Sequence, residues 1–168
     1  GGYLRVGDTP WHGDREFTED IRHIKVTMYL DPVTRETGCL RVIPGSHRWG
    51  SPDYLEVLRP RTYDPSFRPF GMPPTDIPCW PLETEPGDVV FFNEDLHHGS
   101  FGGTGRRMFA MSFITVPSTD EHVAFLRRAH ASTKRCLRPH EALVNSDSPR
   151  IRGMVEPLLE LGFETSKV

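Results

Sequence analysis

The chain has 168 residues, 20 basic and 23 acidic side chains and a formal charge of −3. This length suits one domain with its own core, and the acidic balance argues against duplex nucleic acid or anionic membrane as a partner. Cys39, Cys79 and Cys136 lie far apart without a C-x-x-C pair, which argues against a disulfide framework or zinc knuckle and for a reducing, cytoplasmic setting. No apolar run reaches the roughly 18 residues of a membrane span. The chain opens Gly1-Gly2-Tyr3 without Met, so it is expected to lack its natural start, and a targeting signal would be invisible.

In chain order, Lys25 to Leu30 alternates, with Val26, Met28 and Leu30 on one face and Lys25, Thr27 and Tyr29 on the other. A turn-rich connector from Asp31 to Gly38 leads to a second strand, Cys39 to Ile43, broken by Pro44-Gly45-Ser46-His47. Ser51 to Pro81 holds eight prolines, so no long regular element survives there. A short helix over Ser51–Leu58 and a long ordered loop or lid are expected. Glu85-Pro86-Gly87-Asp88 turns into Val89–Phe92, a strand apolar on both sides. A bend rich in glycine (Gly99, Gly102, Gly103, Gly105) then leads to a strand from Arg106 to Val116. After Pro117 the pattern becomes helical: Ser118-x-x-Glu121 resembles a capping box ahead of Val123, Leu126, Ala129 and Thr133. Ser148-Pro149 opens a last helix running to about Gly162 with a kink at Pro157. The expected organisation is a β core over 1–117, with 51–81 as its lid, and a helical segment over 118–168 packed on that core.

Chemistry concentrates in a few places. In Trp11-His12-Gly13-Asp14, residues two apart on an extended chain project to the same side, so His12 and Asp14 can take adjacent positions on one metal. A distal histidine would complete the 2-His-1-carboxylate set of non-haem iron oxygenases and leave positions open. Leu96-His97-His98-Gly99-Ser100 offers that histidine. A hairpin centred on Gly102 would set His98 opposite Arg106 and His97 opposite Arg107, one pair facing in and one facing out, and symmetry leaves the choice open. An inward arginine has a use, because its planar fork holds a carboxylate through two hydrogen bonds. Lys25 would line a pocket if the polar face of its strand turned inward. Other candidates have plainer explanations. His47 fits a structural turn, and His23 fits a solvated or substrate-side position. His122, His130 and His140 fit the surface of the helical segment. Trp11 and Trp49 suit packing or a pocket wall. Arg59, Arg61 and Arg68 suit a solvated loop or an anionic substrate.

Four blocks in order resemble the phytanoyl-CoA dioxygenase family of Fe(II)- and 2-oxoglutarate-dependent oxygenases. They are Trp11-His12-Gly13-Asp14; Tyr29 to His47, with its Gly-Cys-Leu-Arg-Val-Ile-Pro-Gly-Ser-His string; Pro86 to Phe92; and His98-Gly99-Ser100 followed by Arg106-Arg107. The resemblance implies a mainly β double-stranded β-helix, a jelly-roll or cupin-like barrel, with C-terminal helices. It implies His12, Asp14 and His98 as metal ligands and catalytic residues, Arg106 and Ser100 on the distal carboxylate of 2-oxoglutarate, and Thr27 and Lys25 as further co-substrate contacts. His98 is preferred to His97 because the family ligand directly precedes Gly-Ser, and Arg106 to Arg107 because the family arginine is the first of the pair. The implied reaction uses Fe(II), 2-oxoglutarate and O₂ to hydroxylate a small organic substrate, releasing succinate and CO₂. Asp14 argues against halogenation, which needs a small residue at that position. The readings set against it are a truncated or degenerate barrel that only binds a ligand, and a cupin-like metal hydrolase. The family also carries a first barrel strand ahead of His-x-Asp, and with eleven residues before His12 that strand is expected to be missing and one barrel edge uncovered.

Overall fold

A computed structural model describes residues 2–5, 7–14, 21–48, 53–58, 64, 66–133 and 138–166. Two compact units divide the chain at Ile114/Thr115.

Among its described residues the first unit holds eight strands: β1 (Gly2–Arg5), β2 (Thr9–His12), β3 (His23–Tyr29), β4 (Leu40–Val42), β5 (Trp80–Leu82), β6 (Val89–Asn93), β7 (His98–Ser100) and β8 (Arg106–Ile114). They form two four-stranded antiparallel sheets, in the orders β1-β8-β3-β6 and β2-β7-β4-β5. The chain crosses between the sheets at every step except from β4 to β5, which pair with each other in the second sheet, a jelly-roll connectivity of the kind a double-stranded β-helix has. Gly2–Arg5 is the first described strand and pairs with Arg106–Phe109 of β8, so that edge of β8 is covered rather than open.

The long sheet is amphipathic in the inverted sense. On β3, His23, Thr27 and Tyr29 are buried and Lys25 is half-buried, while Ile24 is exposed. A polar row therefore faces the interior. Val89 and Phe91 of β6 are exposed and Phe92 is buried, so this strand alternates rather than being covered on both sides. Leu40 and Val42 of the short sheet meet Phe92, with Val90, Leu82 and Leu96 packed around them, between the sheets. The outer face of the short sheet is covered differently: Trp11 and Phe101 pack with Leu55, Leu58 and Ile77. The described part of the proline-rich segment, with 3₁₀ turns at Asp53–Leu58, Pro69–Gly71 and Pro74–Asp76, thus buttresses the back of that sheet. The Trp11 indole N–H donates to the Pro74 carbonyl at 2.8 Å, and the Arg41 guanidinium to Thr75 and Arg35 carbonyls at 2.8 and 2.7 Å.

The expected hairpin between the strands at 98 and 106 does not form, because β7 and β8 lie in different sheets. Gly102 makes the crossing possible: its φ is 83°, and a Cβ there would stand 2.3 Å from the Glu36 carbonyl oxygen.

The second unit is helical, with α1 (Asp120–Thr133), α2 (Glu141–Val144), α3 (Pro149–Gly153) and α4 (Glu156–Glu160). The cap of α1 falls one residue later than the pattern suggested, since the Thr119 hydroxyl accepts from the His122 N–H at 3.2 Å. The single kinked helix expected at the end is two short ones; Pro157 sits in the first turn of α4, where a missing N–H costs nothing. No helix among the described residues is long and apolar enough to cross a membrane.

Candidate metal centre

His12 closes β2 and His98 opens β7, and the two are direct partners across the strand pair, so their side chains share the inner face. Their ring centroids stand 4.2 Å apart. Asp14 follows two residues on, its N–H donating to the Glu94 carbonyl at 2.9 Å. Gly13 between them leaves no space for a side chain, since a Cβ would stand 3.0 Å from the Asp95 carbonyl oxygen and 3.3 Å from Nδ1 of His97. One ligand atom each from His12, Asp14 and His98 lie within 4.8 Å of one another, with His12 Nε2 at 3.9 Å from Asp14 Oδ1.

Second contacts orient the rings. His12 Nδ1 lies 2.7 Å from the Pro10 carbonyl oxygen, and His98 Nδ1 lies 2.7 Å from that of Leu96. A carbonyl only accepts, so each Nδ1 carries the hydrogen and each Nε2 keeps a lone pair for a cation. Burial, with the neighbouring His12 adding to it, pushes the His98 imidazole down to about 4, so this ring is neutral at pH 7. Burial alone would raise the Asp14 carboxyl; His12, Lys25 and His98 together outweigh it and hold the group below the usual carboxylate range. Two imidazoles and one carboxylate are the donors that an octahedral ferrous site takes from a protein.

His97 belongs to the other face. It is fully buried, its N–H donates to the Ser46 hydroxyl at 2.8 Å, and its Nε2 lies 3.8 Å from Glu56 Oε1. Arg106 and Arg107 divide the same way. The buried Arg106 guanidinium contacts the Ser100 hydroxyl and the Gly38 carbonyl, and donates to the Gly7 carbonyl at 3.3 Å. Arg107 is exposed and paired with Asp31 on the outside. His98 and Arg106 therefore both face inward, although the hairpin that suggested it does not exist. Ser100 lies two residues beyond His98 on the same inner face of β7, its hydroxyl donating to the Gly38 carbonyl at 2.9 Å.

Thr27 is buried on the inner face of β3, and its hydroxyl has no hydrogen-bond partner among the described residues. Lys25, one step along that row, sets its ammonium 3.7 Å from Asp14 Oδ2 and 3.3 Å from Glu94 Oε1. Glu94 was not anticipated. Burial raises its carboxyl, with Lys25 and the Ser112 hydroxyl pulling back, and His23 Nδ1 lies 3.1 Å from its Oε2. The only sequence signal was an inward lysine in need of a counter-charge. Other candidates fall away from the cluster. His47 sits in the turn after β4, and Trp11 packs on the outer face rather than walling a cavity. Arg68 is bonded within its own segment, to the Phe67 carbonyl at 2.9 Å. His140 caps α2 through Nδ1, and His122 meets Ser118 near the start of α1. Trp49, Arg59 and Arg61, and the side chain of His130, lie outside the described residues.

Residues 3–109 match the family described as phytanoyl-CoA dioxygenase (PhyH). The chain belongs to the phytanoyl-CoA dioxygenase family. A relative from Caenorhabditis elegans, named a probable phytanoyl-CoA dioxygenase, is 35% identical over 78 residues, covering 42% of this chain and 23% of its own length. Among solved structures, EvdMO1 is 28% identical at a TM-score of 0.46, covering 70% of this chain and 26% of that one. EctD from S. alaskensis with bound Fe is 26% identical at 0.43, covering 67% and 41%. EvdO2 from Micromonospora carbonacea var. aurantiaca complexed with 2-oxoglutarate is 21% identical at 0.48, covering 70% and 51%. This chain thus spans about a quarter to a half of the length of these relatives. Within the phytanoyl-CoA dioxygenase match lie all seven residues singled out from the sequence: His12, Asp14, Lys25, Thr27, His98, Ser100 and Arg106.

Proposed function

We propose that this chain carries the site of an Fe(II)- and 2-oxoglutarate-dependent oxygenase that hydroxylates a small organic substrate and releases succinate and CO₂. The observation that carries the reading is the convergence of one donor atom each from His12, Asp14 and His98 within 4.8 Å, with both imidazole Nδ1 atoms committed to carbonyls. His12 Nε2, His98 Nε2 and an Asp14 oxygen would hold the metal. Bound iron supplies the activation of O₂ that is coupled to oxidative decarboxylation of the keto acid. The remaining work belongs to the side chains. Arg106 and Ser100 hold the far carboxylate of 2-oxoglutarate, and the Thr27 hydroxyl, without a partner among the described residues, donates to the same molecule. Phe92, Leu40 and Val42 keep water from the reacting end. Lys25 stands beside Asp14 and completes the co-substrate side. Cys39 and Cys79, free thiols among the described residues, suit a cytoplasmic setting.

The test is succinate release from 2-oxoglutarate by this chain, with and without Fe(II), over a panel of candidate substrates. Release that needs both iron and 2-oxoglutarate is expected. Metal-dependent turnover that survives Arg106→Ala and ignores 2-oxoglutarate would replace the oxygenase by a hydrolase.

A further inference from the structure

Behind the triad lies a second charged layer. Glu94 follows β6 directly and is only 3% exposed. Three of its atoms are fixed: its N–H donates to the His23 carbonyl at 3.0 Å, its carbonyl accepts from the Asp14 N–H at 2.9 Å, and Oε1 accepts from the Ser112 hydroxyl at 2.7 Å. The carboxylate so held sets the place of Lys25, whose Nζ lies 3.3 Å from Glu94 Oε1 and 3.7 Å from Asp14 Oδ2. The other Asp14 oxygen, Oδ1, is the one turned to His12, at 3.9 Å from its Nε2.

We propose that Glu94 is a positioning residue of the metal centre: through Lys25 it occupies the second oxygen of Asp14, and its own charge cancels an ammonium that would otherwise repel a divalent cation. The inference rests on the triad being a metal site, as proposed above. Its logic is electrostatic. A lone ammonium within a few ångströms of a dication opposes binding strongly in a poorly solvated site, and more strongly than a lost hydrogen bond would. Lys25 brings order to Asp14 and also repulsion toward the ion; Glu94 removes the repulsion and leaves the order. The two residues therefore act as a unit, and their substitutions should not add.

Co(II) alone, titrated into the chain and followed by its visible absorption in competition with a chelating dye, reads this directly. Glu94→Gln keeps the size and the acceptor for Ser112 but removes the Glu94 counter-charge of Lys25, leaving the ammonium to Asp14 and the ion; it is expected to weaken Co(II) binding by about 10- to 100-fold, the usual range for groups behind a ligand. Lys25→Met is expected not to weaken it, and the double variant to return within about threefold of wild type. A double variant as weak as Glu94→Gln would make Glu94 a fold-holding residue only and overturn the proposal, as would Glu94→Gln with unchanged affinity. Circular dichroism separates a folding failure. If Glu94→Gln does not fold, Lys25→Met decides alone, and a tenfold loss there overturns the proposal. Wild-type chain that takes up no Co(II) ends both this inference and the triad, whereas binding by wild type with flat variants ends this inference only.

Discussion

The two sheets of the first unit solve opposite problems. The long sheet turns its polar residues inward (His23, Lys25, Thr27, Ser112 and Arg106) and leaves Ile24, Val89, Phe91 and Phe113 exposed, Phe91 to 69%. The short sheet carries His12, His98 and Ser100 on its inner face and buries Trp11 and Phe101 on the outer one, under Leu55, Leu58 and Ile77. Where the candidate metal ligands sit, the strands are short and packed from behind. Where the charged helpers sit, the strands are long and a single inner face does the work. A rigid backing suits ligands that must meet within fractions of an ångström, whereas an inverted amphipathic pattern is the mark of a polar cavity.

Breaking the short sheet should have the largest effect. His98→Ala is expected to bring metal binding below detection in a Co(II) titration, while His97→Ala stays within about threefold of wild type because that ring lies on the other face. Equal retention by both would remove the distal ligand. Next, Trp11→Ala is expected to cost about 3–5 kcal/mol in urea unfolding, against less than ~0.5 kcal/mol for Phe91→Ser on the exposed face of the long sheet. Comparable losses would show that the two outer faces are equally packed. On the inner face of the long sheet, Arg106→Ala is expected to weaken 2-oxoglutarate by about 10- to 100-fold, the equivalent of about 1.5–3 kcal/mol for a charged hydrogen bond. Arg107→Ala, exposed and paired with Asp31, is expected to leave it unchanged.

The smallest effect is a pH dependence. Burial first, then the charge of Lys25, push the His23 imidazole down from its ordinary 6.5 to about 4. Below pH 6.5 the unfolded chain takes up a proton that the folded chain refuses until about pH 4. The stability due to neutral His23 is therefore complete above 6.5 and is lost as the pH falls from 6.5 to about 4. Up to ~3 kcal/mol is at stake. Urea unfolding of metal-free protein across this window should fall less steeply for His23→Gln than for wild type, and parallel curves would exclude the group.

Much of the site was legible in the sequence, because its parts are local. His12 and Asp14 are joined by one glycine, and His98 and Ser100 by another, so the period of two residues per pleat decides their common side. What could not be read was partnership. Alternation on β7 and β8 told which residues share a face but not that the strands belong to different sheets. The matching of His98 with Arg106 thus came from a hairpin that is not there, and the choice of that pair over His97 and Arg107 came from the family resemblance. Gly2–Arg5 is too short to show alternation, so β1 stayed unseen until β8 supplied its partner. Glu94 meets Lys25 only through the pairing of β6 with β3, a long-range register that no local pattern announces.

His97 stands directly ahead of His98, the first residue of β7, and this has a consequence for how the strand tolerates change. A slip of one residue, from an insertion in the turn at Asn93–Leu96, would swing every side chain to the opposite wall. An imidazole would still arrive where the ligand stood, because His97 would replace His98. The hydroxyl would not, because glycine would stand where Ser100 had been. Such a frame error would spare the seat of the ion while erasing a grip on the co-substrate, so metal loading alone would not reveal it.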